Sequence, residues 1–481
     1  MAVQTDNTPT PGNTPTPGNT PTPGNAPTPG NAPTPSDSQP HRGHRGSAEA
    51  PATLNEPAPK TLGLLDQVGF WGNLGVSLFG LTTASTIMLA LPDRPLPLIG
   101  AATALLVGTA VGGAILGISL MLGARTGAPA MVLLRGLLGA KASYLPTALN
   151  IAQNLGWGTF EIILIAESLR SVCHDHLARW VCVLIAGAIT TGLTIRPLGY
   201  IRVLRKYVTA LVVIAIVVLA IGLLRRHVPP VTGTSWSGFW LAVDAVIAVS
   251  ISWVPLGADY SRHARSERSA FLGGFVGYGL TQLACYLVGL IALMQIINNQ
   301  NAIFDLYLGL PLGTVALVIL VLRETDQSFA NTYSTAISIQ NLRPNWDRRV
   351  LTAIIGTALT VAALKIQIGD YLNFLTLIGA VFVPMSGVLV AAWLRTRGAD
   401  WDISDRAPTR PVMLAAWAVG YLTYQVINPG YLAHWADFWT RIGNDLHTTG
   451  HVWLSASIAS FVVSLLIALP AAGRRRVAGT Q

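Results

Sequence analysis

About twelve stretches of roughly twenty apolar residues recur along this chain, and that recurrence decides the class of structure before any motif is considered. Over such a length in hydrocarbon only a helix satisfies its own backbone amides and carbonyls, so an all-α polytopic membrane protein is expected. The stretches lie near residues 68–91, 97–122, 142–166, 178–195, 206–224, 239–258, 270–296, 311–338, 349–366, 371–394, 411–427 and 451–469. Composition agrees: 51% of residues are hydrophobic and 11% are charged, and mean hydropathy is +0.50.

The first and sixth stretches are interrupted near their middles by glycine, proline and polar residues. Each heads a run of five apolar segments, and broken helices at matching places in two halves point to the binding site of a secondary transporter. In the first, Gly69, Gly72, Gly75 and Gly80 flank the polar Asn73 and Ser77. Unwound backbone at Asn73, Val76 and Ser77 would free carbonyls for a small cation, although glycines here also suit close helix packing. In the sixth, Pro255 removes a backbone donor and Gly257 eases departure from helical geometry, which puts the break between Ser252 and Gly257. Trp253 beside it offers an indole for stacking on a flat ring, or for packing. Asp244, on the same helix, is an intramembrane acid and so a functional candidate, unless it faces the outer vestibule.

Two further segments carry chemistry. In the third, Asn150, Gln153, Trp157 and Glu161 follow one another at intervals of three, four and four residues, which places them on one helical stripe. A carboxylate facing lipid costs several kcal/mol, so this stripe must face the bundle interior. Trp157 supplies a flat apolar surface, and Gln153 and Glu161 supply groups for the edge of a planar heterocycle; an interhelical hydrogen-bond network is the other use for such a stripe. The eighth segment holds the run Arg323, Glu324, Thr325, Asp326, Gln327, Ser328, with Asn331 one turn later. Thr325, Asp326 and Ser328 offer hard oxygens for a sodium ion, and Asn331 offers a donor and an acceptor to a ligand. Asp326 is also a candidate proton carrier, Arg323 with Glu324 reads as a compensating pair, and a shorter segment would put part of the run in a loop.

The net charge of +9 is explained by orientation rather than by nucleic-acid binding. With a cytoplasmic N-terminus, the inner loops and C-terminal tail collect about twenty Lys and Arg against about seven outside. Both termini are then expected to be cytoplasmic, in the plasma membrane. Residues 8–35 repeat an Asn-Thr-Pro-Thr-Pro-Gly unit with little variation and almost no apolar surface, so residues 1–60 read as a disordered tail ahead of an amphipathic lead-in at 61–66. Residues 61–470 form the membrane part, with repeats at 68–224 and 239–394 and extra helices at 411–469, and 471–481 form a basic tail. Cys173, Cys182 and Cys285 match neither a disulfide framework nor a metal spacing.

Three elements resemble the nucleobase:cation symporter-1 family of purine, cytosine, allantoin, hydantoin and hydroxymethylpyrimidine transporters. They are the Gly127-Ala128-Pro129 to Arg135 loop, Ala258-Asp259-Tyr260-Ser261-Arg262, and Asn331-Thr332-Tyr333-Ser334. The resemblance implies a LeuT-like fold of two inverted five-helix repeats with two further helices. It also implies that Trp157 stacks on substrate, that Glu161 and Asn331 contact its edge, and that sodium lies between Asn73 to Ser77 and Thr325 with Asp326. The chain departs from the family at Ser250, where many members carry a second stacking aromatic; the nearest aromatic is Trp253. The acids Glu161 and Asp326 raise proton coupling as an alternative, and Ser252 to Leu256 look closest to the hydroxymethylpyrimidine branch.

The expected function is thus cation-coupled import of a planar nitrogen heterocycle, with no cofactor beyond a sodium ion or proton and no feature that sets an oligomeric state. An amino-acid carrier on the same fold would bind a carboxylate at the first break. A receptor or enzyme is the third class, and the sequence contains no catalytic triad, metal motif or phosphate loop.

Overall fold

The computed structural model describes residues 59–473, apart from 89–90, 92–93, 196, 227–232, 234, 297–302, 344, 367–370, 399–400, 431 and 449–452. Within helices it describes only the backbone of some residues, among them 197–209 and Asp326. The Thr-Pro-Gly repeat of the N-terminal tail and the three consecutive arginines of the C-terminal tail lie outside the described residues.

Both expected breaks are present. The first span is α1 (Leu64–Gly75) and α2 (Leu78–Met88), parted at Val76 and Ser77. After α3 (Leu98–Thr126) comes a short α4 (Ala130–Leu138) that hydropathy does not announce, then α5 (Tyr144–Val172), α6 (Arg179–Ile195) and α7 (Pro197–Leu224). The second half opens with α8 (Phe239–Ile251) and α9 (Val254–Ser261), parted at Ser252 and Trp253. Next, α10 (Glu267–Leu272), a π-helical turn at Gly273–Tyr278 and α11 (Gly279–Gln295) form one long span. The remainder comprises α12 (Ile303–Leu308), α13 (Gly313–Leu342), α14 (Arg348–Lys365), α15 (Tyr371–Thr396), α16 (Pro411–Ile427), α17 (Ala433–Asp445) and α18 (Ala456–Ala468).

The contacts keep their pattern when the two halves are exchanged. Helix α1 packs on the π-helical turn and α11 of the second half as α8 packs on α3 of the first, while α5 runs along α13 and α6 along α14. Such reciprocity is what two inverted repeats of five spans produce. Where α1 meets the π-helical turn, an added Cβ on Gly277 would lie 2.6 Å from the Val68 carbonyl oxygen, so only glycine permits that approach.

Local details differ from the sequence reading for identifiable reasons. The lead-in is no separate element: α1 begins at Leu64, and Asp66 accepts from the Gly63 amide at 2.8 Å, which satisfies one orphan donor of the first turn. Pro255 lies in the first turn of α9, where a missing N–H costs nothing, so the second break falls at the start of the expected interval. Gly257 stays helical and serves packing: a Cβ there would meet Leu120 Cδ2 at 2.6 Å. The polar run 323–334 is helical throughout, which excludes the loop alternative; Arg323, Glu324, Gln327 and Asn331 find side-chain or backbone partners inside the bundle.

Asp244 does not face a vestibule. It is 3% exposed and caps the last helix, with Oδ1 accepting from Ser455 Oγ at 2.5 Å and from the Ser457 amide at 3.1 Å, and Oδ2 from the Ala456 amide at 3.0 Å. This carboxylate satisfies the orphan amides at the N-terminus of α18, where the helix dipole also favours negative charge. Asp244→Ala is therefore expected to destabilise the protein by roughly 2 kcal/mol through lost capping and unpaired buried amides. Thermal unfolding of the purified protein in detergent measures this, with Asp244→Asn falling between the two.

Candidate functional site

A cavity lies between the two breaks, walled by α5, α11 and α13. Leu74, Gly75 and Ser77 border it from the first break, and Ser252 and Trp253 from the second. Both interruptions thus open onto one space.

The third-segment stripe divides into two functions. Trp157 and Glu161 line the cavity, whereas Asn150 and Gln153 hold the bundle together. Asn150 Nδ2 donates to Ser338 Oγ on α13 at 2.9 Å. Gln153 Nε2 donates to the Ser252 carbonyl at 2.9 Å, satisfying the oxygen that the second break releases. Gln153 accordingly supports the break through Nε2 and does not line the cavity. Ser250 also lies outside the cavity: its hydroxyl donates to Gln282 Oε1 at 3.0 Å, and it packs against Gly112.

Across the cavity, Asn331 Nδ2 donates to Glu161 Oε1 at 2.9 Å, joining α13 to α5. Glu161 is 1% exposed, and its Oε2 has no hydrogen-bond partner among the described residues. A buried carboxylate oxygen left in this way favours a ligand that brings N–H donors. Trp157 stands edge-on to Phe79 and Phe374, with centroids 5.7 and 5.3 Å away. Trp253 meets Trp71 and Tyr278 in the same manner, at 6.0 and 6.1 Å. Two indoles therefore border the cavity from different elements, each fixed by aromatic neighbours.

Sequence reasoning missed the contribution of α11. Gln282 borders the cavity and donates to the Tyr278 hydroxyl at 3.2 Å and the Tyr286 hydroxyl at 2.9 Å. Its spacing of four residues from each tyrosine was the available signal.

The expected sodium ligands that are described, Asn73, Val76, Ser77 and Thr325, are engaged otherwise. Arg323, fully buried, donates through Nε to the Asn73 carbonyl at 2.7 Å and through Nη2 to the same oxygen. Gln327 Nε2 donates to the carbonyls of Leu74, at 2.6 Å, and Val76, at 3.3 Å. Glu324 takes the amide side of the break: Oε1 accepts from Ser77 Oγ at 2.9 Å and Oε2 from the Leu78 amide at 3.0 Å. Thr325 Oγ1 donates to the Leu322 carbonyl at 2.6 Å, within its own helix. The Asp326 side chain lies outside the described residues. Arg323 and Glu324 are thus more than a compensating pair, since each secures one side of the first break. A sodium ion sharing the Asn73 carbonyl would lie roughly 4 Å from the guanidinium, where two unit charges repel by about 4 kcal/mol at an effective dielectric constant of about 20. Among the described side chains, the donors around this break do not fit sodium.

The three sequence elements that carry the family resemblance meet in space. Asp259 Oδ1 accepts from the Ala130 amide at the start of α4, at 2.9 Å. Tyr260, next in sequence, donates its hydroxyl to the Ala330 carbonyl at 3.0 Å and pairs with Ser334 Oγ at 3.2 Å. One end of α9 therefore ties the loop before α4 to α13.

Residues 61–410 match a family model described as permeases for cytosine/purines, uracil, thiamine and allantoin. The cytosine permease of Escherichia coli strain K12 is 24% identical over 285 residues, covering 57% of this chain and 66% of its own length, just under two thirds. The cytosine permease of Escherichia coli O157:H7 matches over the same number of residues at the same identity. Among solved structures, a nucleobase-cation-symport-1 family transporter, closed with bromovinylhydantoin bound, superposes with a TM-score of 0.68 at 15% identity, over 88% of this chain and 94% of that one. A sodium-coupled sialic acid symporter, outward-open with substrate bound, gives a TM-score of 0.59 at 11% identity, over 87% and 90%. At these identities the likeness is one of fold, and the fold is the LeuT-like one.

The two roles of the α5 stripe are separable by mutation. Gln153→Met removes the partner of a buried carbonyl and is expected to lower stability by about 1–3 kcal/mol, while leaving the order of preference among competing heterocycles unchanged. Denaturation in detergent together with competition binding distinguishes this from an edge-contact role, which would alter the preference.

Proposed function

The chain belongs to the permease family for cytosine/purines, uracil, thiamine and allantoin, and from that membership we propose that it imports a planar nitrogen heterocycle by secondary active transport. The observation that carries the reading is the Glu161–Asn331 pair, set in a cavity bordered by Trp157 and Trp253 and opening onto both helix breaks. The indoles offer apolar surface to ring faces, while Glu161 Oε2 accepts from a ring or exocyclic N–H. A cytosine-like, purine-like or hydroxymethylpyrimidine-like ligand has both features. Alternating access moves the half-helices about this midplane site. The distribution of Lys and Arg supports a plasma-membrane protein with both termini cytoplasmic.

The amino-acid alternative is disfavoured by one contact. A substrate carboxylate would seek the free amides at the N-terminus of α2, and Glu324 of the chain itself already accepts from Ser77 Oγ and the Leu78 amide there. Uptake of labelled cytosine, uracil, hypoxanthine, hydroxymethylpyrimidine and several amino acids by cells expressing the protein decides between the two: amino-acid uptake alone would refute the heterocycle reading.

Trp157→Ala is expected to weaken heterocycle binding by roughly 1–3 kcal/mol, and Trp157→Phe by less, because phenyl retains part of the ring face. Equilibrium binding to both variants checks this. Asn331→Ala removes the donor that orients Glu161 and is expected to erode discrimination among heterocycles, since a polar site rejects ligands that leave its buried groups unpaired. Competition assays with ring analogues read that loss directly.

A further inference from the structure

We propose that Arg323 is a built-in cation holding the first helix break, in the position where a coupling sodium ion would act, so that ligand binding and transport by this chain are independent of sodium. The inference rests on the transporter reading for its consequence, but its geometry stands alone. Three residues of α13, at positions i, i+1 and i+4, clasp the interruption from Asn73 to Leu78: Arg323 and Gln327 on its carbonyls, Glu324 on its amide side. Every carbonyl that donor arrangement reaches is met by an N–H, and one of them by a full positive charge.

A guanidinium suits this place. It stays protonated under all physiological conditions, is more weakly hydrated than an ammonium and so tolerates burial, and presents donors in a fixed fork. Arg323 uses Nε and Nη2 on one oxygen, while Nη1 has no partner among the described residues. Glu324, the next residue, supplies a matching negative charge at the N-terminus of α2, where the helix dipole favours an acid. The charge that a bound sodium ion would otherwise bring is thereby covalently attached. A mobile ion couples its gradient to transport because it binds one conformation better than the other. A tethered guanidinium has no gradient, so it secures the same joint without transmitting sodium energy.

The test uses the purified full-length chain in nanodiscs, in sodium chloride or in choline chloride at equal ionic strength. Without any heterocycle, sodium is expected to leave the melting temperature unchanged, whereas a protein that holds the ion is stabilised by mass action as the ion saturates it. Saturable stabilisation by sodium would overturn the proposal. Cytosine binding, followed by tryptophan fluorescence, is expected to differ by less than about twofold between the two salts; coupled sites shift each other by about fivefold or more, and a shift of that size would also overturn it. Failure of cytosine to bind in either salt bears on the choice of substrate, and the melting experiment still decides the sodium question. Arg323→Ala exposes the carbonyls of the break, so its melting temperature is expected to fall in choline and recover in sodium. Arg323→Lys keeps the charge and is expected to remain indifferent to sodium. Absence of sodium recovery in Arg323→Ala, or sodium stabilisation of Arg323→Lys equal to that of the alanine variant, would show that the side chain does not stand in for an ion.

Discussion

A helix interrupted inside hydrocarbon leaves carbonyls and amides that must find partners, because the solvent there offers none. Two such interruptions, at Val76 and Ser77 and at Ser252 and Trp253, organise this molecule. The first is satisfied from α13, through Arg323, Glu324 and Gln327. The second receives Gln153 from α5. Since α5 and α13 also pack along one another and share the Glu161–Asn331 bond, the helices that support the breaks are the ones that carry the proposed ligand contacts. The two breaks are thus joined through α5 and α13 to the Glu161–Asn331 pair.

The polar residues inside the spans fall into distinct kinds of work. Asp244 caps α18, and Asp259 satisfies the first amide of α4. Gln282 is held among Ser250, Tyr278 and Tyr286. Each buries polar atoms and each recovers the cost through hydrogen bonds. Glu161 is different, since one oxygen is held by Asn331 and the other has no partner among the described residues. An acid kept in that state at a cavity wall is where a ligand gains most from presenting a donor.

The contacts of Asp259 and Tyr260 give the family resemblance a physical meaning. Residues separated by about seventy to 130 positions, in three short motifs, converge on one end of α9 and fasten α4 and α13 to it. None of these side chains borders the cavity apart from Asn331. In this chain these motifs therefore mostly join the framework, whereas Trp157, Glu161 and Asn331 border the cavity.

What the sequence determined by itself was periodic or compositional. Apolar runs long enough to cross a bilayer set the class and the limits of most spans, and Gly, Pro, Asn and Ser in the first and sixth marked both breaks, because backbone geometry responds to those residues locally. Helical spacing likewise placed Trp157 and Glu161 on an inward face. Tertiary structure alone decided which inward group borders the cavity and which serves the bundle. Gln153 and Trp157 share a stripe, yet one meets the Ser252 carbonyl and the other the cavity, since a partner 99 residues away in sequence occupies only the first position. The same holds for Arg323: its charge was legible in the chain, but its role follows from the Asn73 carbonyl 250 residues away, and no local pattern encodes a meeting of that range.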